Sequence, residues 1–147
     1  MGLFLETATQ LTNSQAAGLF ALGTSGFILV FLLAVGMYIY ISFAYMAIAR
    51  KNNQSSPGLA WIPGVGPMIV AYRASKMHWW PWLLLIGVII PVVNIFAMVA
   101  FVIFAVIWHW KMFEAVNKPG WWAIFFVIPI LNIVFYVFIG IAAWSSD

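Results

Sequence analysis

The sequence contains no cysteine. That removes disulfides, thiolate metal sites and cysteine nucleophiles from consideration. Charge is almost as scarce: six basic and three acidic residues make up 6% of the 147 residues, where a soluble domain carries about 25%. So few ionic groups cannot furnish the polar shell of a water-soluble fold of this size. No acid lies deep in an apolar run, so the usual proton-coupling group of a carrier is missing. The two histidines, His78 and His109, have only Glu114 nearby as a further ligand, too few for a metal site. The net charge of +3 is spread singly or in pairs between apolar runs rather than gathered into a basic tract, so nucleic acid is not an expected partner. No catalytic constellation, metal site or cofactor motif is present. The expectation is a protein that is not an enzyme and takes no cofactor.

What is abundant is apolar and aromatic surface. Hydrophobic residues make up 66% of the chain, and nine of its residues are tryptophan. The medium for most of this chain is lipid, and the expected fold is an all-α polytopic integral membrane protein. The first residues lack a positive n-region, and Glu6 is their only charge, so no cleaved signal is expected. Residues 1–23 mix Leu3, Phe4 and Leu5 with a polar patch from Thr7 to Gln15. They read as a frayed or interfacial extracytoplasmic segment. Residues 24–49 carry no charge and are long enough to cross a bilayer, which takes about 20 residues. Arg50 and Lys51 follow at once, which places that end in the cytoplasm and the N-terminus outside. Tyr45 is expected near the inner interface. Tyr38 and Tyr40 need partners within the protein.

The rest of the chain is punctuated by proline. Residues 57–72 hold Pro57, Pro63 and Pro67, and no regular helix passes through Pro63–Pro67. Residues 77–110 form an uncharged run broken at Pro91, and the unit 79–115 is expected as one helix over 79–90, a turn at Pro91–Asn94 and a second helix over 95–115. Residues 118–145 follow the same plan around Pro129. The three stretches align on Ile62-Pro63, Ile90-Pro91 and Ile128-Pro129. The last two share an upstream tryptophan pair, Trp79-Trp80 and Trp121-Trp122, and a downstream asparagine, Asn94 and Asn132. The middle unit is about one helical turn longer between its tryptophans and Ile-Pro, which favours helix there and an internal duplication.

Each part of the unit has a physical reading. Lys76 with Trp79 and Trp80, and Lys118 with Trp121 and Trp122, are interfacial anchors, because indole is amphipathic and lysine snorkels. Pro81 and Pro119 suit first-turn positions. Ile-Pro-x-x-Asn ends one helix and starts the next, with Asn94 and Asn132 as candidate N-caps. If each unit is a hairpin returning to the side it entered, all six basic residues face the cytoplasm. His78 and His109 then read as interfacial, and Lys111, Glu114 and Lys118 as exposed pairing at a helix end.

The stretches KPGWWAIFFVIPILNIVF and HWWPWLLLIGVIIPVVNIF, with the polar loops between them, resemble a family of small prokaryotic membrane proteins of unknown function. Its members carry Lys-Pro-Gly-Trp-Trp repeats ending in Ile-Pro-x-x-Asn. The resemblance covers about residues 40–145 and implies an architecture but no catalytic residues. The expected function is a structural, scaffold or accessory subunit of the cell membrane, in contact with membrane lipids. It would assemble as a homo-oligomer or as a subunit of a membrane complex. The alternative is a small transporter or channel that uses the breaks at Pro91–Asn94 and Pro129–Asn132.

Overall fold

A computed structural model describes residues 1–146; Asp147, the last residue of the expected single membrane domain 1–147, lies outside the described residues. The described chain is helical and has no strand. The chain divides into two compact units, Met1–Ile39 and the remainder from Tyr40 on.

Helix α1 runs from Gly2 to Lys51. Residues 2–23 therefore neither fray nor break but continue the helix toward the N-terminus. The cause is local. No proline occurs before Pro57, and the hydroxyls that usually compete with helix bond back onto it. Thr7 donates to the Leu3 carbonyl, Thr9 to Leu5 at 2.7 Å, Thr12 to Thr9 at 2.9 Å and Ser14 to Leu11 at 2.9 Å. Every residue of the first unit is exposed, Leu3 at 83% and Phe20 at 76% among them.

The second unit holds the core. It starts with the last turns of α1, which bury Ala44, Tyr45, Ile48 and Ala49. A 3₁₀ turn over Pro57–Trp61 leads through Pro63 into α2, Gly66–Ser75. Pro67 stands in the first turn of α2, where its missing N–H costs nothing. Next comes the second arm, a 3₁₀ turn over Trp80–Leu83 joined to α3, Leu84–Gly87. Helix α4, Val93–Ala115, follows. The third arm is 3₁₀ throughout, Gly120–Phe126, and α5 is Asn132–Trp144. Helix α4 is central, packing against α2, α3 and both arms.

The regular helix expected over 79–90 is thus a shorter, tighter arm, and the third arm is not α-helical. At about 2.0 Å per 3₁₀ residue and 1.5 Å per α residue, both arms are about 14 Å long. Both reverse. Trp80 meets Phe104 at 4.9 Å, and a Cβ on Gly87 would lie 2.9 Å from Ala97 Cβ, so α4 returns along the second arm. Trp122 stacks on Phe138 at 4.3 Å and Phe126 meets Phe135 at 5.3 Å, so α5 returns along the third.

Two helices close with Schellman motifs. Gln54 N–H reaches the Ala49 carbonyl at 3.0 Å and Lys118 N–H the Phe113 carbonyl at 2.8 Å. Asn53 and Asn117 supply the left-handed residues, with φ of 53° and 60°.

Helices α1 and α4 are long and apolar enough to cross a membrane. Of their most apolar 18-residue stretches, only 11% and 22% of residues are buried in the protein. The core helix of a soluble fold would be mostly covered. Helix α5, with 13 residues, is shorter than a span.

Candidate functional site

The most constrained polar group of the interior is His109, 1% exposed. Its Nδ1 lies 2.7 Å from the Ala105 carbonyl oxygen, one turn back on α4. A carbonyl only accepts, so Nδ1 carries the proton and Nε2 is left as an acceptor. Tyr45 of α1 donates its hydroxyl to that Nε2 at 2.7 Å. Phe126 stacks on the imidazole at 5.1 Å and Phe135 stands edge-on at 5.4 Å. Four segments therefore meet at one neutral, fully satisfied imidazole.

His109 and Tyr45, both expected near the interface, are buried inside the protein, with Tyr45 2% exposed. The physical reason is the Tyr–His bond itself: with both nitrogens paired, imidazole can be buried without an unsatisfied polar group. The spacing of Tyr45 and His109 in sequence gave no sign of it. Tyr40 does find its expected partner, donating to the Tyr136 carbonyl at 2.8 Å. A second aromatic group lies beside the first, with Trp108 against Trp82 and Tyr72, each at 5.3 Å. The Trp108 indole N–H has no hydrogen-bond acceptor among the described residues.

The residues singled out at the reversals behave unequally. Pro63, Pro91 and Pro129 all lie in turns. Neither Asn94 nor Asn132 is an N-cap. Those positions are held by Val92 and Leu131, and neither helix has a side-chain cap hydrogen bond. Asn132 instead turns back, donating from Nδ2 to the Phe126 carbonyl at 2.7 Å, and so closes the end of the third arm. Asn94 is exposed, inside the first turn of α4. Capping failed as a reading because each helix begins one or two residues earlier than the Asn would require.

Among the anchors, Trp79 and Trp121 are exposed, at 62% and 49%. Trp80 meets Phe104 and Trp122 stacks on Phe138, yet Trp80 stays 48% exposed and only Trp122 is half-buried. Lys76 ends α2 in the left-handed conformation, with φ of 52°, and Lys118 is half-buried. Glu114 does not pair with Lys111; it accepts from the Trp110 indole at 2.7 Å. The glycine of Lys-Pro-Gly has a role in that contact, because a Cβ on Gly120 would overlap Nε1 and Cδ1 of Trp110.

The helix ends gather charge. Lys51 donates to the Ala142 and Ser145 carbonyls at 2.8 and 2.7 Å, satisfying the end of α5. Partial burial, and then the nearby Lys118 charge, hold the Lys51 ammonium below its ordinary pKa. No cluster of three potential metal-ligating side chains occurs among the described residues.

A furrow of about 550 Å3 runs along α4 beside the end of the third arm, bounded by Met98, Val99, Val102, Ile103, Ile107 and Val127. Every one of these side chains is apolar.

Comparison with known proteins gives no match to this chain: no protein family, no curated protein and no solved structure.

Proposed function

We propose that this chain is a polytopic integral protein of the cell membrane. In this reading it is a non-enzymatic scaffold or accessory subunit that packs with copies of itself or with other membrane proteins. The observation that carries the reading is the bareness of its two long helices, whose most apolar stretches are 11% and 22% buried. In water such surface would drive aggregation; in a bilayer it is available to lipid and to neighbouring helices.

The hairpins support a topology. Arms of about 14 Å run beside α4, whose 23 residues cover about 34 Å and suffice for a hydrocarbon core of about 30 Å. In the proposed topology the returning limbs put Lys111 and Lys118 on the side of Arg50, Lys51, Arg73 and Lys76. All six basic residues then face the cytoplasm and the N-terminus lies outside. The lysine contact between α1 and the end of α5 agrees with that grouping.

Two measurements test the proposal. Alkaline carbonate should leave the protein in the membrane, and mild detergent should release a defined oligomer or complex; a stable monomer overturns the assembly reading. The chain has no cysteine, so single Lys111→Cys and Lys118→Cys variants report sidedness. Labelling by an impermeant maleimide from outside overturns the hairpin topology.

A further inference from the structure

The furrow on α4 exists because the third hairpin is short. Its arm ends where Phe126 meets His109 and Val127 reaches the middle of α4. Beyond that point nothing of the third hairpin covers Val99 and Ile103, which are 56% and 55% exposed. The remaining space is elongated along α4. Met98 to Ile107 covers about 14 Å of helix, and the lining has no polar group to hold a headgroup or a solute inside. Ile103, Ile107 and Lys111 occupy one face at four-residue spacing. Lys111 is exposed, and its one acidic neighbour on the helix, Glu114, is held by Trp110.

From this we infer that the furrow holds one acyl chain of an anionic phospholipid, with the lipid phosphate at Lys111. The inference rests on the membrane reading above. An acyl chain already lies in hydrocarbon before it enters the furrow, so burial of apolar surface contributes little. Packing against the grooved wall and the charge at Lys111 set the preference. The apolar wall accepts any unbranched chain, and the lysine selects the negative headgroup. A free phosphate lacks the part that fills the furrow.

The test uses the full chain in vesicles of equal phosphatidylglycerol and phosphatidylcholine with identical acyl chains, followed by gentle extraction and native mass spectrometry. Retained phosphatidylglycerol should exceed phosphatidylcholine about five-fold, the ratio given by about 1 kcal/mol for one basic residue near an anionic surface. Lys111→Gln should bring the ratio close to one. Ile103→Trp, which fills the furrow, should reduce retention of both lipids. Equal retention of the two lipids by the parent chain overturns the inference, as does a ratio untouched by Lys111→Gln at its exposed position. A loss of oligomer with Ile103→Trp at unchanged lipid would assign the furrow to a second copy and also overturn it. Carbonate extraction of the same samples separates the two levels: a released protein refutes the membrane reading, while an integrated protein without bound lipid refutes the furrow alone.

Discussion

In the hairpin built from residues 80–115, Gly87 lies against Ala97, close to the start of α4. In the one built from residues 120–144, the arm ends beside His109, past the middle of the same helix. The two share Trp-Trp, Ile-Pro and Asn at matching places and have arms of nearly equal length. What differs is how each is fastened. The second hairpin is held by rings, Trp80 on Phe104 and Trp82 on Trp108, and its buried Trp108 N–H has no acceptor. The third is held by rings and by directed bonds, with Phe126 against the paired imidazole and the Asn132 amide on the Phe126 carbonyl. The reversals at Pro91 and Pro129 are thus held by different side-chain contacts.

The largest effect should come from the imidazole on which the third hairpin docks. His109→Ala removes a ring packed by Phe126 and Phe135 and leaves the Tyr45 hydroxyl without an acceptor. A loss of about 3–5 kcal/mol is expected, the range for deleting a buried aromatic ring. Tyr45→Phe removes only the donor and should cost about 1–3 kcal/mol for the unpaired Nε2. Reversible unfolding in mixed micelles, with the double variant closing the cycle, measures the coupling. If His109→Ala costs less than about 1 kcal/mol, the junction does not hold the third hairpin.

Gly120→Ala comes next. The added Cβ overlaps the Trp110 indole, so either the arm moves or the indole leaves Glu114. Overpacking of this kind costs about 1–3 kcal/mol. Trp110 emission should shift at the same time, whereas Trp79 and Trp80 of the second arm should be undisturbed. Single-tryptophan reporters check this.

Much of the architecture could be read from sequence, and the reasons are physical. Helix and reversal followed from proline spacing, since Pro63, Pro91 and Pro129 exclude regular helix at fixed points. The winding of the arms was hidden, because 3₁₀ and α segments differ by less than a residue per turn and these arms are apolar on all sides. The extension of α1 through residues 2–23 was hidden too, because the Thr-rich patch looks like a helix breaker until its hydroxyls are seen bonded to the helix. The Tyr45–His109 pair was out of reach: it joins residues far apart in the chain, and a lone histidine beside tryptophans carries no mark of burial. Asn53 and Asn117, which close two helices, carry a sequence signal in the left-handed preference of asparagine.

The two asparagines give a direct comparison of the hairpins. Asn132→Ala breaks the bond to the Phe126 carbonyl in a half-buried place, and about 1 kcal/mol should be lost. Asn94→Ala touches an exposed side chain without a described hydrogen bond and should stay within about 0.5 kcal/mol of the parent. Parallel unfolding of the two variants decides. Equal losses would mean that the asparagines act alike after all, as capping residues would.

The smallest effect concerns the residue after each proline. Gly64 and Val92 both have positive φ, 78° and 71°. Ile130, at the matching place in the third reversal, is not among the positive-φ residues. Glycine adopts such φ freely, but a β-branched residue there is strained by about 1–2 kcal/mol. Val92→Gly should relieve that strain and lose part of the gain to the larger freedom of glycine in the unfolded chain. The net expectation is a gain of less than about 1 kcal/mol. Ile130→Gly has no strain to relieve and should cost stability by a similar amount. Opposite signs for the same substitution at matching positions would show that the second reversal stores strain and the third does not. Like signs would place the conformation of Val92 among the ordinary turns.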